Sequence, residues 1–209
     1  MGIDTIEQLQ TWLNEHSFIN GIAFIGRSNV GKSSLINSLF GKSTARVSKT
    51  PGRTRQVNIF SFNVENRETK TVESFYLFDV PGYGHADVSK EMARNWQQLL
   101  DTFFQLCSEK ILLLNIQDAR HPLQDSDLVF HDYIKSFDLE TYVLFNKVDK
   151  LKTQSERSKL RNRMPEIYQK FKWIKQIHFT SAEKGDGLPA VELAIINFVK
   201  RNSDMKGFL

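Results

Sequence analysis

The amino-acid sequence predicts an α/β fold: a mostly parallel, six-stranded sheet with helices on both faces and one antiparallel edge strand. Three observations lead there. Six short apolar runs rich in β-branched and aromatic residues recur along the chain. Segments of helical spacing separate most of them, the alternation that builds a parallel sheet. One neighbouring pair lacks such a spacer and is joined only by the polar stretch NVENRETKTVE, which reads as a hairpin and not a crossover.

The first run, GIAFI at 21–25, is followed by glycines and then by SSLINSLF at 33–40, an amphipathic helix. VNIFSF at 57–62 and SFYLFDV at 74–80 form the hairpin. After them Met92, Trp96, Leu99 or Leu100, Phe103 and Cys107 share one face at three- and four-residue intervals, the core face of a helix. The remaining strands are ILLLNI at 111–116, TYVLFNK at 141–147 and IKQIHFT at 174–180. Residues 1–20 are expected to be a helical extension, 21–201 the domain itself and 202–209 a frayed tail.

With 209 residues, 40% hydrophobic and 25% charged, the chain has the mixture of one compact domain. Its N-terminus carries acids where a signal peptide would be basic, and no apolar run reaches membrane-spanning length. A soluble cytoplasmic protein with no membrane partner is the expectation. Its one cysteine, Cys107, cannot form an internal disulfide and reads as a small buried residue. A net charge of +4 leans toward phosphate-rich partners. A monomer is the default.

The stretch GRSNVGKSS satisfies G-x-x-x-x-G-K-[ST] through Gly26, Gly31, Lys32 and Ser33, directly after a strand and before a helix. Chance would supply the bare pattern in about 1% of chains this long, so a plain glycine turn is the weaker reading. Gly26 and Gly31 let the backbone of Arg27, Ser28, Asn29 and Val30 wrap a phosphate chain, with N–H groups and the helix start facing the charge. Lys32 would reach the β- and γ-phosphates, and the Ser33 hydroxyl, with Ser34 beside it, would meet a magnesium ion.

Three strand-end motifs complete the pattern. In DVPG, Asp79, Val80, Pro81 and Gly82, the acid can hold magnesium through water and the Gly82 N–H can contact a γ-phosphate. In NKVD, Asn146, Lys147, Val148 and Asp149, the Asp149 carboxylate can accept both N–H groups on one edge of guanine, an edge adenine does not present. Lys147 can lay its stem across the base, and Asn146 can brace the loops. Thr180, Ser181 and Ala182 follow the last strand, where the Ala182 N–H can meet guanine O6.

That order of motifs resembles a translation-factor-like GTPase, a P-loop NTPase G domain, over nearly the whole chain. The finer stretches GRSNVGKSSLIN, SKTPGRTRQVNIF, DVPGYGHA and DARHPLQDSD are similar to the EngB (YihA/YsxC) family of bacterial ribosome-assembly GTPases. The resemblance implies that Gly52, Arg53, Thr54, Arg55 and Gln56 line GTP or GDP, with Thr54 as the switch threonine joining Ser33 and Asp79 on magnesium. It implies a slow GTPase, with the large ribosomal subunit or its precursor as partner, no DNA, and linked effects on cell division and septation. One departure stands out: the family usually has Thr-Lys-x-Asp where this chain carries Asn146.

Hydrolysis is less determined than binding. Where many GTPases carry a water-orienting glutamine after Asp-x-x-Gly, this chain has Tyr83. Lys32 and Thr54 remain the catalytic candidates. Asn29 joins them because it resembles the asparagine that helps hold potassium in related GTPases. His85 reads as a solvated loop residue, and His16, His121, His131 and His178 lack partners at metal-ligand spacing.

Two basic stretches stay open. Residues 42–55 carry Lys42, Arg46, Lys49, Arg53 and Arg55 with no acid. In 150–175, Lys150, Lys152, Arg157, Lys159, Arg161, Arg163, Lys170, Lys172 and Lys175 face only Glu156 and Glu166. The first, a loop holding the expected switch, reads as RNA phosphate contact gated by GTP; for the second, a solvated helix face and a phosphate-contacting surface both fit. DARHPLQDSD is expected to be local: Pro122 in a first helical turn, with Asp125 or Asp127 favouring that helix start. Three function classes follow: a GTP-hydrolysing switch, a P-loop ATPase or nucleotide kinase, and a GTP-gated scaffold that barely hydrolyses.

Overall fold

The computed structural model describes residues 1–16, 19–41, 44–45, 56–66, 69–83 and 90–203, without the side chains of Lys90, Met92 and Ala93. The elements are β1 (Gly2–Ile3), α1 (Ile6–Glu15), β2 (Gly21–Gly26), α2 (Lys32–Phe40), β3 (Val57–Glu65), β4 (Val72–Asp79), α3 (Lys90–Cys107), β5 (Ile111–Asp118), α4 (Asp125–Ile134), β6 (Thr141–Asn146), α5 (Gln154–Asn162), α6 (Met164–Lys170), β7 (Ile174–Phe179) and α7 (Leu188–Arg201). One sheet runs in the order β1-β3-β4-β2-β5-β6-β7. Strands β4, β2, β5, β6 and β7 are parallel, β3 pairs antiparallel with β4, and β1 antiparallel with β3.

All six expected strands are present, and β1 adds a seventh. Two residues carry no periodicity, so this strand is created by pairing: Gly2 meets Asn58 and Ile3 meets Val57 on the open edge of β3. The hairpin strands extend past the expected ends, to Glu65 and from Val72, because ladder pairing continues where the side chains are exposed. The first segment is helical over α1, whose Thr5 hydroxyl accepts from the Gln8 N–H at 3.2 Å. Its Trp12 packs edge-on against Tyr76 and Phe78, with Leu9 buried beside it.

Strands β2, β5 and β6 are buried along their full length, so successive residues feed opposite faces. Ala23 and Ile25 join the core under α1 and α3, whereas Ile22 and Phe24 join the core under α2 and α7. A third cluster, with Leu160, Ile167 and Phe171, sits beneath α5 and α6. On α3, Leu99, Leu100, Phe103 and Cys107 are buried as their spacing predicts, together with Phe104.

Helix α4 departs from expectation. It begins at Asp125 behind a Gln124 cap, so Pro122 lies in the preceding turn and outside the first helical turn. A reciprocal capping box between Gln124 and Asp127 decides that start. Residues 42–43, 46–55, 84–89 and 204–209 lie outside the described residues, and with them Gly52, Arg53, Thr54, Arg55, His85 and most of the tail.

The topology locates the site. Strand order reverses at β2, which has β4 on one side and β5 on the other, and such a reversal opens a crevice at the carboxyl ends of the strands. At the interior end of the fold, burial pushes the Cys107 thiol up to about 12. The native protein is expected to resist a disulfide reagent such as dithionitrobenzoate over minutes and to react stoichiometrically in urea. Rapid labelling of the folded chain would contradict that burial.

Candidate functional site

At the end of β2 the chain enters a loop that only unusual backbone can make. Asn29 has φ 63° and Gly31 φ 92°, both left-handed, a conformation asparagine tolerates and glycine adopts freely. A Cβ at position 31 would lie 2.5 Å from Asn146 Nδ2, so side-chain crowding also requires glycine there. Helix α2 starts at once, and no side chain caps it. Its first N–H groups are therefore left to an anion.

Lys32 reaches across the crevice to form an ion pair with Asp79 at the end of β4. Ser33 sits in the first turn beside them. Gly82 packs onto the same loop: a Cβ there would come within 2.5 Å of the Gly26 carbonyl oxygen. Among the described residues no cluster of three or more His, Cys, Asp or Glu side chains forms a metal cage. One carboxylate and one hydroxyl beside a phosphate cradle instead fit magnesium, which takes few protein oxygens and relies on phosphates and water.

The base-recognition loops converge on the same crevice. Asn146, 1% exposed, donates from Nδ2 to the Val30 carbonyl at 3.0 Å and accepts at Oδ1 from the Ala182 N–H at 3.1 Å. The Thr180 hydroxyl adds a 3.4 Å contact to the same oxygen. Lys147, itself left-handed at φ 69°, donates to the Asn29 carbonyl and to Asp118 Oδ2, the latter at 3.1 Å. Asp149 accepts from the Ser181 hydroxyl at 2.6 Å and pairs with Lys150 at 3.0 Å. Burial opposes its charge, but those hydrogen bonds prevail and hold the carboxyl below its ordinary range.

Several candidates stand differently from expectation. The Ala182 N–H assigned to guanine O6 already serves Asn146, so it reaches a base only as a shared or re-aimed donor. The Arg27 guanidinium turns away from the loop to Asp127, Gln124 and the His121 carbonyl, at 2.9, 2.6 and 3.0 Å. The side chains of Val30 and Val80 are likewise turned from the crevice, into the core, and the Val80 N–H bonds the Phe24 carbonyl at 3.0 Å. Gln56 does not join the site: its amide donates to Asp4 at 3.1 Å, at the sheet edge away from β2. Ser28, Ser34, Pro81 and Val148 lie in the loops and first turns that border the crevice.

Two groups escaped sequence reasoning. Asp118, at the end of β5, holds Lys147 while Arg120 grips it with two nitrogens at 2.9 and 2.6 Å. Burial again works against the charge, yet Arg120 and Lys147 bring Asp118 well below the usual carboxylate range. Its position at a strand end between the P-loop and NKVD was the available signal. Asp127, fully buried, accepts at Oδ1 from Arg27 Nε and from the Tyr83 hydroxyl, each at 2.9 Å, and at Oδ2 from the Gln124 N–H at 2.9 Å. Asp127 therefore does far more than favour a helix start.

Tyr83 is consequently an interior residue. Its ring stacks on Phe130 at 4.4 Å and 7°, and its hydroxyl also accepts from Asn115 Nδ2 at 2.9 Å. Burial and Asp127 push its hydroxyl pKa well up, so it stays protonated. The same network ends at His131, whose Nε2 lies 3.0 Å from Gln117 Nε2 and 3.2 Å from Asn115 Oδ1.

Comparisons with known proteins agree with this geometry. Residues 21–147 match the family model described as "50S ribosome-binding GTPase". The "Probable GTP-binding protein EngB" of Thermotoga maritima is 36% identical over 181 residues, covering 87% of each chain. A crystal structure of "a probable GTP-binding protein engB" is 25% identical with TM-score 0.61, over 87% of this chain and 99% of that one. Era in complex with MgGDPNP and nucleotides 1506–1542 of 16S ribosomal RNA shares the fold at 24% identity and TM-score 0.67, over 87% of this chain and 57% of that one.

Two outcomes test the network. Asp127→Ala strands the Arg27 charge and the Tyr83 hydroxyl, and should cost about 3–5 kcal/mol in urea unfolding. A loss near zero would mean the pair is not buried in solution. Burial, the main cause, lowers the His131 pKa from 6.5 to about 4. The unfolded chain then binds the extra proton first, so stability is full above pH 6.5 and falls as pH drops toward 4, by about 3 kcal/mol in all. Urea midpoints across that window should show the fall, and His131→Gln should flatten it.

Proposed function

The chain belongs to the EngB family of GTP-binding proteins, and on that premise we propose that it is a slow, magnesium-dependent GTPase acting as a nucleotide switch in assembly of the large ribosomal subunit. The observation that carries the guanine reading is the lattice in which Asn146 ties the phosphate loop to the segment after β7 while Ser181 and Lys150 aim the ionised Asp149. A carboxylate so held accepts two N–H donors from guanine and repels the corresponding edge of adenine.

The roles follow from position. Backbone N–H groups from Gly26 to Lys32 and the start of α2 take the phosphate charge, and Lys32 neutralises its outer end. The Gly82 N–H is proposed to contact a γ-phosphate at the same end. Magnesium, when bound, neutralises charge developing on the transferred phosphoryl group. Ser33 and Asp79 are its proposed holders, with Thr54 as the third; Thr54 and its neighbours Gly52, Arg53 and Arg55 lie outside the described residues.

A slow intrinsic rate is supported by Tyr83. The residue after Gly82 is stacked in the core, so no side chain at that position can orient attacking water. Asn29, exposed and left-handed at the mouth of the loop, is our candidate for placing potassium, which would supply positive charge in the manner of an arginine finger. Tyr83 equally favours a second reading, a GTP-gated ribosome-binding scaffold with negligible hydrolysis. Docking on the large subunit is supported by the family description and by the net positive charge. The fold neighbour with bound 16S ribosomal RNA supplies a parallel. No helix among the described residues is long and apolar enough to cross a membrane. We propose cytoplasmic action as a monomer, a domain over 21–201 whose sheet and core β1 and α1 complete, a tail at 202–209, and a linked role in division and septation.

Competition against labelled GDP should find ATP far weaker than GTP; comparable affinities would defeat the guanine assignment. Asp149→Asn should cost about 2 kcal/mol of GDP binding, roughly 30-fold, through its lost charge-assisted hydrogen bonds. Single-turnover hydrolysis should be slow alone, faster in potassium than in sodium, and faster again with large subunits. No acceleration by subunits would leave the scaffold reading in its place.

A further inference from the structure

Of the two basic stretches, only 150–175 lies wholly among the described residues. Residues 150–175 hold nine cations against two carboxylates, while the whole chain is only +4, so everything outside that segment is net negative. The segment folds as α5 and α6 on the outer part of the sheet, beside β7. Helix α5 is almost wholly polar and anchors through a single buried residue, Leu160. Helices polar on nearly all sides gain little from the core they rest on.

Between α5 and the β5–α4 loop runs an open groove of about 430 Å³. Its cations divide into two sets. Arg120 is committed to Asp118, and Lys150 to Asp149 and Glu183. Lys152, Lys159 and Arg163 form no ion pair with any described residue. The one carboxylate lining the groove, Glu156, is turned into the helix cap, where it accepts from the Lys152 and Thr153 N–H groups at 2.6 and 3.1 Å. Lys159 and Arg163 stand four residues apart, one helical turn, a like-charge pair that an outside anion would relieve. A larger cavity at the opposite strand ends, of about 510 Å³, lacks this bias: its lining holds Glu109, Asp138 and Glu140 as well as Lys135, Lys175 and Arg201.

We propose that this groove is where the protein docks on ribosomal RNA, with Lys152, Lys159 and Arg163 contacting the phosphodiester backbone. The wall chemistry favours nucleic acid over an acidic protein. The groove's apolar lining is small or aliphatic, Ala119, Pro122, Leu151 and Leu160, with no Phe, Tyr or Trp of the kind that anchors protein partners. Nucleic-acid surfaces are instead strongly cationic and polar. The inference rests on the large-subunit reading and gives it a surface. The groove floor also runs directly on from the base loops, since Arg120 follows Asp118 by two residues and Lys150 follows Asp149.

The test is cosedimentation of the full chain with purified large ribosomal subunits over a salt series, with duplex DNA as competitor. The triple variant Lys152→Glu, Lys159→Glu, Arg163→Glu should bind at least roughly 10-fold more weakly. Its log–log salt slope should fall by about 3, one for each lost phosphate contact. GDP affinity within about twofold of the parent shows that the variant is folded; the neutral pair Lys159→Gln, Arg163→Gln, with a slope change of about 2, substitutes if it is not. Unchanged affinity and slope overturn the groove and leave ribosome docking standing. A parent chain that fails to bind subunits in either nucleotide overturns both. Equal competition by DNA overturns the assignment to ribosomal RNA.

Discussion

The Asn146 side chain spans three loops that come from distant parts of the chain. Its amide nitrogen satisfies a carbonyl in the loop after β2, and its oxygen satisfies an N–H in the segment after β7. Asn146 itself is buried at the carboxyl end of β6, where an unpaired polar atom would be costly. Because each partner needs Asn146, the phosphate-binding and base-binding halves of the crevice keep one relative geometry. Lys147 reinforces that link through its two bonds, to Asn29 and to Asp118.

A second constraint lies on the other side of the phosphate loop. Asp127 is an acid with no access to water, tolerable because Arg27, Tyr83 and the Gln124 N–H all donate to it. The same three contacts join the loop after β2, the segment after β4 and the start of α4. Tyr83 therefore has a structural role at a position where many GTPases carry a chemical one. Among the described residues the crevice gathers groups suited to holding a nucleotide, while the Tyr83 side chain is turned into the core.

Among the described residues, three lysines at the crevice are paired, Lys32 with Asp79, Lys147 with Asp118 and Lys150 with Asp149. The cations along α5 are largely without acidic partners. Like charges one helical turn apart repel modestly, and a phosphate backbone is one source of counter-charge that would relieve them.

Much of this was legible in the sequence alone. Strand alternation, the parallel sheet and the hairpin followed from the spacing of apolar runs, since burial on both faces writes itself into β2, β5 and β6 residue by residue. The P-loop, DVPG and NKVD were readable because phosphate and guanine demand fixed residue types at fixed places. Strand β1 was not, because two residues have no period and exist as a strand only by pairing with β3. The directions of side chains were equally hidden. Arg27, Gln56 and Tyr83 sit within or beside nucleotide motifs, yet Arg27 and Tyr83 turn to Asp127 and Gln56 turns to Asp4. No local spacing reveals that Asp127, a hundred residues from Arg27, is its counter-charge. Sequence determined which chemistry the crevice carries; tertiary structure decided which side chains face it, because burying each polar group depends on partners that only the folded chain brings together.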